Sequence, residues 1–298
     1  MHQRARRCPL LLIQSRAEPG MLLRMPHITA LNIYPVKSCR GIPLQQGTLT
    51  ATGFSDDRHW MLVRPNGRFV TQRELPRMAL IGTAVDDAGL TLTAPGLPAL
   101  TVPRAAPGEA RPVTVWKFDG RGIDCGAQAA EWLTQFLETP LSLVAFDTSM
   151  PRTCSPEWTP GTHAITEFAD GFPVLVISRA SFADLNSRLQ SRSSKALPME
   201  RFRPNIVIDG VGPYDEDRIH ELRIRDITLR LVKPCARCTI TTTDQQSGAV
   251  DGVEPLRTLK EYRFDRELRG VLFGQNAIVA DGMGKALRVG DVFEVSWK

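Results

Sequence analysis

Two cysteines three positions apart, Cys235 and Cys238, are the residues best suited to chemistry in this sequence. Thiolates are soft metal ligands and strong nucleophiles, so the pair indicates metal binding or sulfur chemistry. Residues 239–243 are all β-branched and predict an extended strand. Both thiols would then lie at or just before the start of that strand. Two buried, inert thiols are the alternative, because free cysteine is commonly buried.

Three common types of cysteine site fit this pair poorly. A structural zinc site takes four ligands, usually as two close pairs, whereas the remaining cysteines are scattered at Cys8, Cys39, Cys125 and Cys154. A c-type haem site needs histidine directly after the second cysteine, but position 239 is threonine. A thioredoxin-like pair needs a βαβ context, which the threonine-rich strand opposes. The spacing of the two cysteines alone favours neither the inert nor the functional interpretation of the pair.

Short motifs elsewhere give the pair a context. They are Tyr-Pro-Val-Lys-Ser-Cys at 34–39, Asp-Arg-His-Trp at 57–60, Phe-Arg-Pro-Asn at 202–205, Leu-Phe-Gly-Gln at 272–275 and Leu-Arg-Val-Gly-Asp at 287–291. Together with Cys-Ala-Arg-Cys at 235–238, they resemble the molybdenum cofactor sulfurase C-terminal (MOSC) family. More closely, the chain resembles the branch with an N-terminal β-barrel domain, which includes the amidoxime-reducing components and bacterial relatives. Each motif is weak, but their order from His27 to Glu294 is specific.

The resemblance implies a molybdenum cofactor (molybdopterin with molybdenum), whose dithiolene holds the metal and whose pterin carries a terminal phosphate. Cys238 matches the family position that supplies one thiolate to molybdenum, which makes it the metal ligand and the catalytic residue. Arg237 is expected to help keep that sulfur deprotonated, because a neighbouring cation lowers the pKa of a thiol. Cys235 is expected to lie next to Cys238 and the metal. The simpler interpretation is that Cys235 is a small buried side chain with no chemical role.

Other residues fall on family positions that hold phosphate and pterin. Arginine offers a planar fork suited to phosphate, whereas lysine offers a point charge. Taken singly, each lysine or arginine of this set could be a solvated surface charge. Asn205 could be a turn residue, and Ser178 could be a helix N-cap. Asp57 is expected to orient Arg58 by ion pairing. The predicted cofactor-binding set is Lys37, Ser38, Arg58, Ser178, Arg203, Asn205, Arg237 and Cys238.

The resemblance implies a reductase of small N-hydroxylated compounds that takes oxygen from the N–O bond. The chain lacks an iron–sulfur cysteine set, a haem attachment motif and a dinucleotide fingerprint. Electrons should therefore come from a separate ferredoxin, flavodoxin or cytochrome b5-like protein and its reductase. The alternative is a non-redox cofactor-binding or sulfur-carrier protein with a persulfide on Cys238.

Composition narrows the class of protein. The 298 residues are 42% hydrophobic and 23% charged, as in globular proteins, and scattered cysteines fit a reducing compartment. The net charge of +5 is modest, without a basic run for nucleic acid. No segment reaches the length of a membrane span. We therefore expect a cytoplasmic protein with no membrane or nucleic-acid partner, a disordered leader at 1–26, and neither a membrane anchor nor a ferredoxin-like domain.

The elements that must position these residues are mostly strands. The sequence predicts a mainly β fold with peripheral helices (α+β). It comprises an N-terminal β-barrel domain at 27–146, a linker at 147–172 and a β-barrel MOSC domain at 173–298. Helices are predicted at 127–136, 180–189 and near 255–262 from apolar spacing. Asn66-Gly67 predicts a type I′ hairpin turn. Residues 273–276 could form a turn beside the site, with a purely structural role as the simpler interpretation.

Overall fold

The computed structural model describes residues 25–298, so nearly all of the predicted leader, and Cys8 with it, lies outside the described residues. Strands dominate this part of the chain, with helices at its periphery, which confirms the predicted mainly β fold. No helix among the described residues has the length and apolar character that a membrane crossing requires.

The helices agree with the predicted ones to within two residues. They are α1 (Ala127–Leu137), α2 (Arg179–Ser191) and α3 (Leu256–Arg263). Short 3-10 helices occur at Pro76–Leu80, Met199–Phe202, Asp215–Asp217 and Thr239–Thr242.

The first half of the described chain contains the shorter strands. They are β1 (His27–Ile33), β2 (Ile42–Leu44), β3 (Gln46–Thr50), β4 (Gly53–Phe54), β5 (Trp60–Val63), β6 (Gly82–Val85), β7 (Gly89–Ala94), β8 (Leu97–Pro103), β9 (Ala110–Val115), β10 (Phe118–Asp124) and β11 (Ser142–Phe146). The second half contains β12 (Arg152–Thr153), β13 (Ile165–Thr166), β14 (Val174–Ser178), β15 (Ile206–Asp209), β16 (Ile219–Ile224), β17 (Ile227–Arg237), β18 (Phe264–Asp265), β19 (Gly270–Asp281), β20 (Ala286–Arg288) and β21 (Glu294–Trp297).

The largest sheet runs in the order β2-β1-β15-β14-β19-β17-β16-β21, with β18 beside β19. All its neighbouring pairs are antiparallel except β14 and β15. That parallel pair requires a crossover connection, and α2 supplies it. Ser178 at the end of β14 accepts hydrogen bonds from the backbone N–H groups of Ala180 and Ser181. This N-cap fixes where the chain turns from strand into helix.

The two halves of the chain share this sheet. β1 pairs with β15, and β3 lies between β20 and β4. Side chains from both halves, such as Ile28, Leu49 and Leu229, pack in one core. The largest sheet therefore contains strands from both sides of residue 146.

A second, large core and a third, smaller one lie mainly in the N-terminal half. The sheets of this half run β5-β11-β10-β9 and β6-β7-β8. Helix α1 packs against the second core through Trp132, Leu133 and Phe136. The predicted hairpin after β5 also exists, since Val63 pairs with Phe69. The type I′ assignment was wrong, because Gly67 has a positive φ and Asn66 does not.

Strand β17 is irregular where it approaches the cysteine pair. Its register against β19 shifts between Leu231 and Lys233 and again between Pro234 and Ala236. Proline lacks the N–H that a sheet ladder needs and so favours a bulge. Bulges re-aim side chains and are common beside active sites. Here they direct the end of β17 away from a regular ladder.

Two sequence-based expectations about this region were wrong. Residues 239–242 form a 3-10 helix instead of a strand. The hydroxyl of Thr241 donates to the Cys238 carbonyl at 2.9 Å, and that of Thr242 to the Thr239 carbonyl at 2.8 Å. Such local bonds compete with strand formation, so the thiols lie at the end of β17. Likewise, residues 273–276 lie inside β19 and form no turn.

Candidate cofactor site

A single cleft collects most of the predicted site residues. It lies where the end of β17 meets the loops that follow β1, β4 and β13. Seven of the eight predicted cofactor-binding residues line it, namely Lys37, Ser38, Arg58, Arg203, Asn205, Arg237 and Cys238. These positions span two hundred residues of sequence, so their meeting is a property of the fold.

Ser178 is the one predicted residue that the structure places elsewhere. It is fully buried, and its hydroxyl accepts the two N-cap hydrogen bonds of α2 at 3.1 and 3.4 Å. The alternative interpretation of Ser178 as a helix cap is confirmed. Ser178 is absent from the residues that line the cleft.

The thiols of Cys235 and Cys238 are the two partly exposed ones among residues 25–298. Burial raises the pKa of Cys39 and Cys125 to about 12 and that of Cys154 to about 11. A thiol must ionise to act as a nucleophile or metal ligand. The buried three are therefore inert, and Cys235 and Cys238, both on the cleft wall, are the thiols available for chemistry.

Arg58 is fixed by a buried acid and an amide. Its Nη1 donates to the Asp57 carboxylate and to Asn205 Oδ1, the latter at 2.9 Å. Burial raises the pKa of the Asp57 carboxyl, although Arg58 and the Tyr34 backbone N–H oppose that rise. The expected pairing of Asp57 with Arg58 is confirmed. Asn205 links Arg58 to the backbone of β14, since its Oδ1 also accepts from the Leu175 N–H at 3.1 Å.

Arg203 approaches the same place from the other side. Its guanidinium stacks on the Tyr34 ring at 4.2 Å, and Arg58 stacks on that ring at 4.4 Å. Arg203 Nη1 donates to the Cys39 carbonyl at 2.6 Å. Burial lowers the pKa of Arg203 to about 10, a value at which the group is still cationic at neutral pH. Two arginines therefore share one aromatic platform.

Arg237 has a different neighbour from the one expected. Its Nη1 lies 3.0 Å from Cys235 Sγ and its Nη2 donates to the Phe202 carbonyl at 2.6 Å. The predicted contact with Cys238 is replaced by a contact with Cys235. Between them, Arg203 and Arg237 hold two buried N–H groups, Nη2 and Nε, that find no acceptor within residues 25–298. Such groups are costly unless a ligand satisfies them.

Lys37 is held by residues that the sequence did not reveal. Its Nζ donates to the Phe168 carbonyl at 2.7 Å and to Asp170 Oδ1 at 2.5 Å. Burial lowers the pKa of Lys37, and Asp170 opposes that effect. The Asp170 side chain is 65% exposed, so solvent screens the pair and we assign it little stability.

The loop that carries Asp170 was predicted only as a linker. Arg152 fixes this loop, because its Nη1 donates to the Glu167 carbonyl at 3.0 Å and its Nη2 to the Asp170 carbonyl at 2.8 Å. Residues 169–172 consequently form one wall of the cleft. No local motif marks them, and only the three-dimensional path of the chain brings them to the site.

Three cleft residues adopt a left-handed backbone conformation. Ser38, Arg58 and Arg203 have φ values of 66°, 52° and 56°. This region is uncommon for residues other than glycine and costs of order 1–3 kcal/mol each. Backbone strain of this kind clusters at functional sites. The fold therefore holds these side chains in place at an energetic cost.

The charge of the cleft suits an anionic ligand. Four cations line it (Lys37, Arg58, Arg203 and Arg237) against the single carboxylate of Asp170. Among residues 25–298, no group of three or more His, Cys, Asp or Glu could hold a metal ion by itself. A metal at Cys238 would thus need other ligands, which a dithiolene supplies. A soft thiol beside several cations of the types that suit phosphate fits a molybdenum pterin cofactor.

Comparison with known proteins identifies the family of this chain. Residues 25–140 match the MOSC N-terminal β-barrel domain and residues 164–294 match the MOSC domain. The chain belongs to the MOSC family. Its mostly β fold consists of that N-terminal domain and a C-terminal MOSC domain, as the sequence motifs predicted.

Relatives of known name cover most of the chain. Human mitochondrial amidoxime-reducing component 1 is 38% identical over 288 residues, which is 91% of this chain and 83% of the relative. Human mitochondrial amidoxime reducing component 2 is 37% identical over 279 residues, 89% and 82% of the two chains. Component 2 from Bos taurus is 36% identical over 260 residues, 83% and 76% of the two chains.

Proposed function

We propose that this protein is a molybdenum-cofactor-dependent reductase of N-hydroxylated compounds. The observation that carries the proposal is the meeting, in one cleft, of a partly exposed thiol with four cations. The names of its relatives, which are amidoxime-reducing components, support the substrate class. The cofactor and the two-electron reaction are part of this proposal.

The chain contributes a ligand and a binding frame. The Cys238 thiolate is proposed as the one protein ligand of molybdenum, since a soft donor suits a metal already bound by sulfur. Lys37, Arg58, Arg203 and Arg237 are proposed to bind the phosphate and pterin. When bound, the cofactor supplies two-electron redox chemistry that removes oxygen from an N–O bond. The protein provides binding, orientation and electrostatics.

Electrons are proposed to come from a separate acidic redox protein and its reductase. Nothing in the sequence of this chain supplies an iron–sulfur, haem or dinucleotide site. The compartment remains the predicted cytoplasm, and the named relatives are mitochondrial. These expectations concern the source of electrons and the compartment. They are separate from the chemistry of the cleft.

The decisive experiment is turnover with a small artificial reductant. Purified protein that contains molybdenum should reduce benzamidoxime to benzamidine with reduced methyl viologen, with the product measured by chromatography. Protein freed of metal under reducing conditions is the control and should be inactive. No turnover by molybdenum-loaded protein on amidoximes, hydroxylamines or N-hydroxylated bases would overturn the proposed function.

A further inference from the structure

A second pocket adjoins the cofactor cleft. We call it the side pocket. Arg237 lines both the cleft and the side pocket, and the 3-10 helix Thr239–Thr242 that follows Cys238 forms one of its walls. Helix α3 and the start of β19 form the opposite walls. The side pocket is lined by Gln72, Arg73, Arg237, Thr239, Thr242, Thr243, Val250, Gly252, Val253, Leu256, Arg257, Lys260 and Val271.

Part of the side pocket is apolar and is formed by Val250, Val253, Leu256 and Val271. Leu256 and Val271 lie partly buried in its walls. Val250 and Val253 are 60% and 59% exposed, which makes them two of the most exposed large apolar residues in residues 25–298. A cluster of exposed apolar side chains around a concavity is typical of a ligand-binding surface. The contact surface therefore suits an apolar molecule.

The charges around the side pocket are of one sign. Arg73, Arg237, Arg257 and Lys260 line it, and none of the residues that line it within the described chain is acidic. Arg257 and Lys260 are exposed and form no ion pair with any residue in 25–298. Both cations are therefore free to meet an anion.

Asp251 and Glu254 adjoin lining residues in the sequence, and each has a partner outside the side pocket. Asp251 pairs with buried Arg201 at 2.8 Å. Glu254 accepts a hydrogen bond from the Thr258 backbone N–H at 3.0 Å. Neither carboxylate is among the residues that line the side pocket. The charged residues that line the side pocket are therefore all cations.

We propose that the side pocket binds the non-reacting part of the substrate, an apolar body that carries a carboxylate. The N-hydroxylated end would then lie in the cleft next to Cys238, because Arg237 lines both spaces and Thr239 of the side pocket directly follows Cys238. The proposal rests on the proposed function and deepens it. It assigns Arg257 and Lys260 to the substrate's carboxylate and the valine rim to its apolar body.

A matched pair of ligands tests the charge component by calorimetry. The probes are 4-carboxybenzamidoxime and its neutral analogue 4-carbamoylbenzamidoxime, titrated into molybdenum-containing protein in the oxidised state, where no turnover occurs. The wild type should bind the carboxylate more tightly. The double variant Arg257→Gln/Lys260→Gln should weaken carboxylate binding roughly 3- to 10-fold, since each exposed ion pair contributes little. Binding of the carbamoyl analogue should not change.

Two further variants test the location. Val253→Asp places a charge on the exposed rim and should weaken binding of both ligands. Lys195→Gln removes an exposed cation outside the side pocket and should leave both affinities unchanged. Equal affinity of the wild type for the two ligands would overturn the proposal. So would an effect of Lys195→Gln as large as that of the double variant.

Binding and turnover separate this proposal from the function on which it rests. If the carboxylate binds in the predicted charge-dependent way but no amidoxime is reduced, the side pocket stands as a ligand site and the proposed reaction fails. If amidoximes are reduced and the double variant binds both ligands as the wild type does, the reaction stands and the side pocket assignment fails.

Discussion

Cys238 and Cys235 lie in one cleft but differ in their surroundings. Arg237 contacts the sulfur of Cys235 at 3.0 Å, and Cys235 packs at the edge of an apolar cluster that includes Leu259 and Phe273. Cys238 lies past the end of β17, where the chain changes from strand to 3-10 helix. Cys238 stays the proposed ligand because it matches the family position that supplies a thiolate to molybdenum.

This difference predicts unequal effects of substitution. Cys238→Ser should abolish amidoxime reduction and keep the fold, because a hydroxyl is a poor ligand for a soft metal site. Cys235→Ser should retain most activity. Steady-state turnover together with thermal unfolding measures both effects. Full turnover in Cys238→Ser would remove its ligand role, and equal loss in both variants would favour a dithiol mechanism.

The arginines on the Tyr34 ring predict how the cofactor is retained. Each charge-assisted hydrogen bond contributes roughly 1.5–3 kcal/mol, so the double variant Arg58→Ala/Arg203→Ala should lose most bound metal on desalting. Arg179→Ala removes an exposed arginine that pairs with Asp209 at 3.9 Å and should retain it. The measurement is molybdenum per folded chain. Unchanged occupancy in the double variant would leave these arginines as structural residues only.

Strand β19 depends on a glycine beside β14. Gly274 has φ +80°, and an added Cβ would lie 2.7 Å from Ile177 Cγ1 and 2.9 Å from the Val176 carbonyl oxygen. Gly284 has nearly the same φ of +81° but nothing within 4 Å of an added Cβ. Comparing alanine at the two positions separates steric clash from backbone strain.

Gly274→Ala should lower the free energy of unfolding by roughly 2–4 kcal/mol, because clash and left-handed strain add. Gly284→Ala should lower it by only about 1 kcal/mol, from strain alone. Urea unfolding followed by circular dichroism compares the two. Equal losses would show that the packing of β19 on β14 relaxes around an extra methyl group.

The turn beneath α2 contains a buried acid that predicts a pH effect. Glu216 is 1% exposed and accepts from the Ser181 hydroxyl at 2.7 Å and the Ser178 N–H at 3.3 Å. Burial raises the pKa of Glu216 above its ordinary value of 4.5. The folded state therefore holds this proton to a higher pH than the unfolded state does, and stability falls as pH rises through that window.

Glu216→Gln should remove this dependence, since glutamine keeps the shape and does not titrate. The measurement is the urea midpoint of the wild type and of the variant from pH 4.5 upward. The wild type should lose stability relative to Glu216→Gln as pH rises. A wild-type midpoint that instead rises relative to the variant would contradict the raised pKa.

The three helices and some of the strands could be predicted because their signals are local. The apolar face of α1 and the short runs of strand-forming residues require no knowledge of distant residues. The segment after Cys238 could not be predicted from β propensity, because the hydroxyls of Thr241 and Thr242 bond to the backbone and favour a helical turn.

Only the site residues that stand in short sequence motifs could be predicted. Lys37, Arg58, Arg203 and Cys238 each stand in a short motif, and the fold brings all four to one cleft. Arg152, by contrast, belongs to no motif. It acts through carbonyl groups of a loop some fifteen residues away, so its role depends on a chain path that local sequence does not specify.

At the scale of the whole molecule, the net charge and the lack of an electron-carrying motif predict how this protein receives electrons. The chain carries +5 net charge, and Arg257 and Lys260 lie exposed near the cleft. An acidic electron carrier would be attracted to this surface. Activity with NADH or NADPH alone is not expected.

Salt should slow electron transfer from a partner protein more than it slows the reaction in the cleft. The Debye length falls from ~10 Å at 0.1 M to ~3 Å at 1 M ionic strength, so turnover driven by an acidic partner protein should fall steeply as salt rises. Turnover driven by reduced viologen is the control and should change much less. Equal salt sensitivity of both, or robust activity with a nicotinamide nucleotide alone, would refute this electron path.

The central claim is that Cys238 and the surrounding cations hold a molybdenum pterin. The most direct test is the molybdenum content of the purified chain by elemental analysis, with pterin fluorescence after oxidation and intact mass measured on the same sample. We predict one molybdenum and one pterin per chain in the wild type, and no stable metal in Cys238→Ser. A chain free of molybdenum and pterin after expression with ample molybdate, with a persulfide on Cys238, would contradict the account.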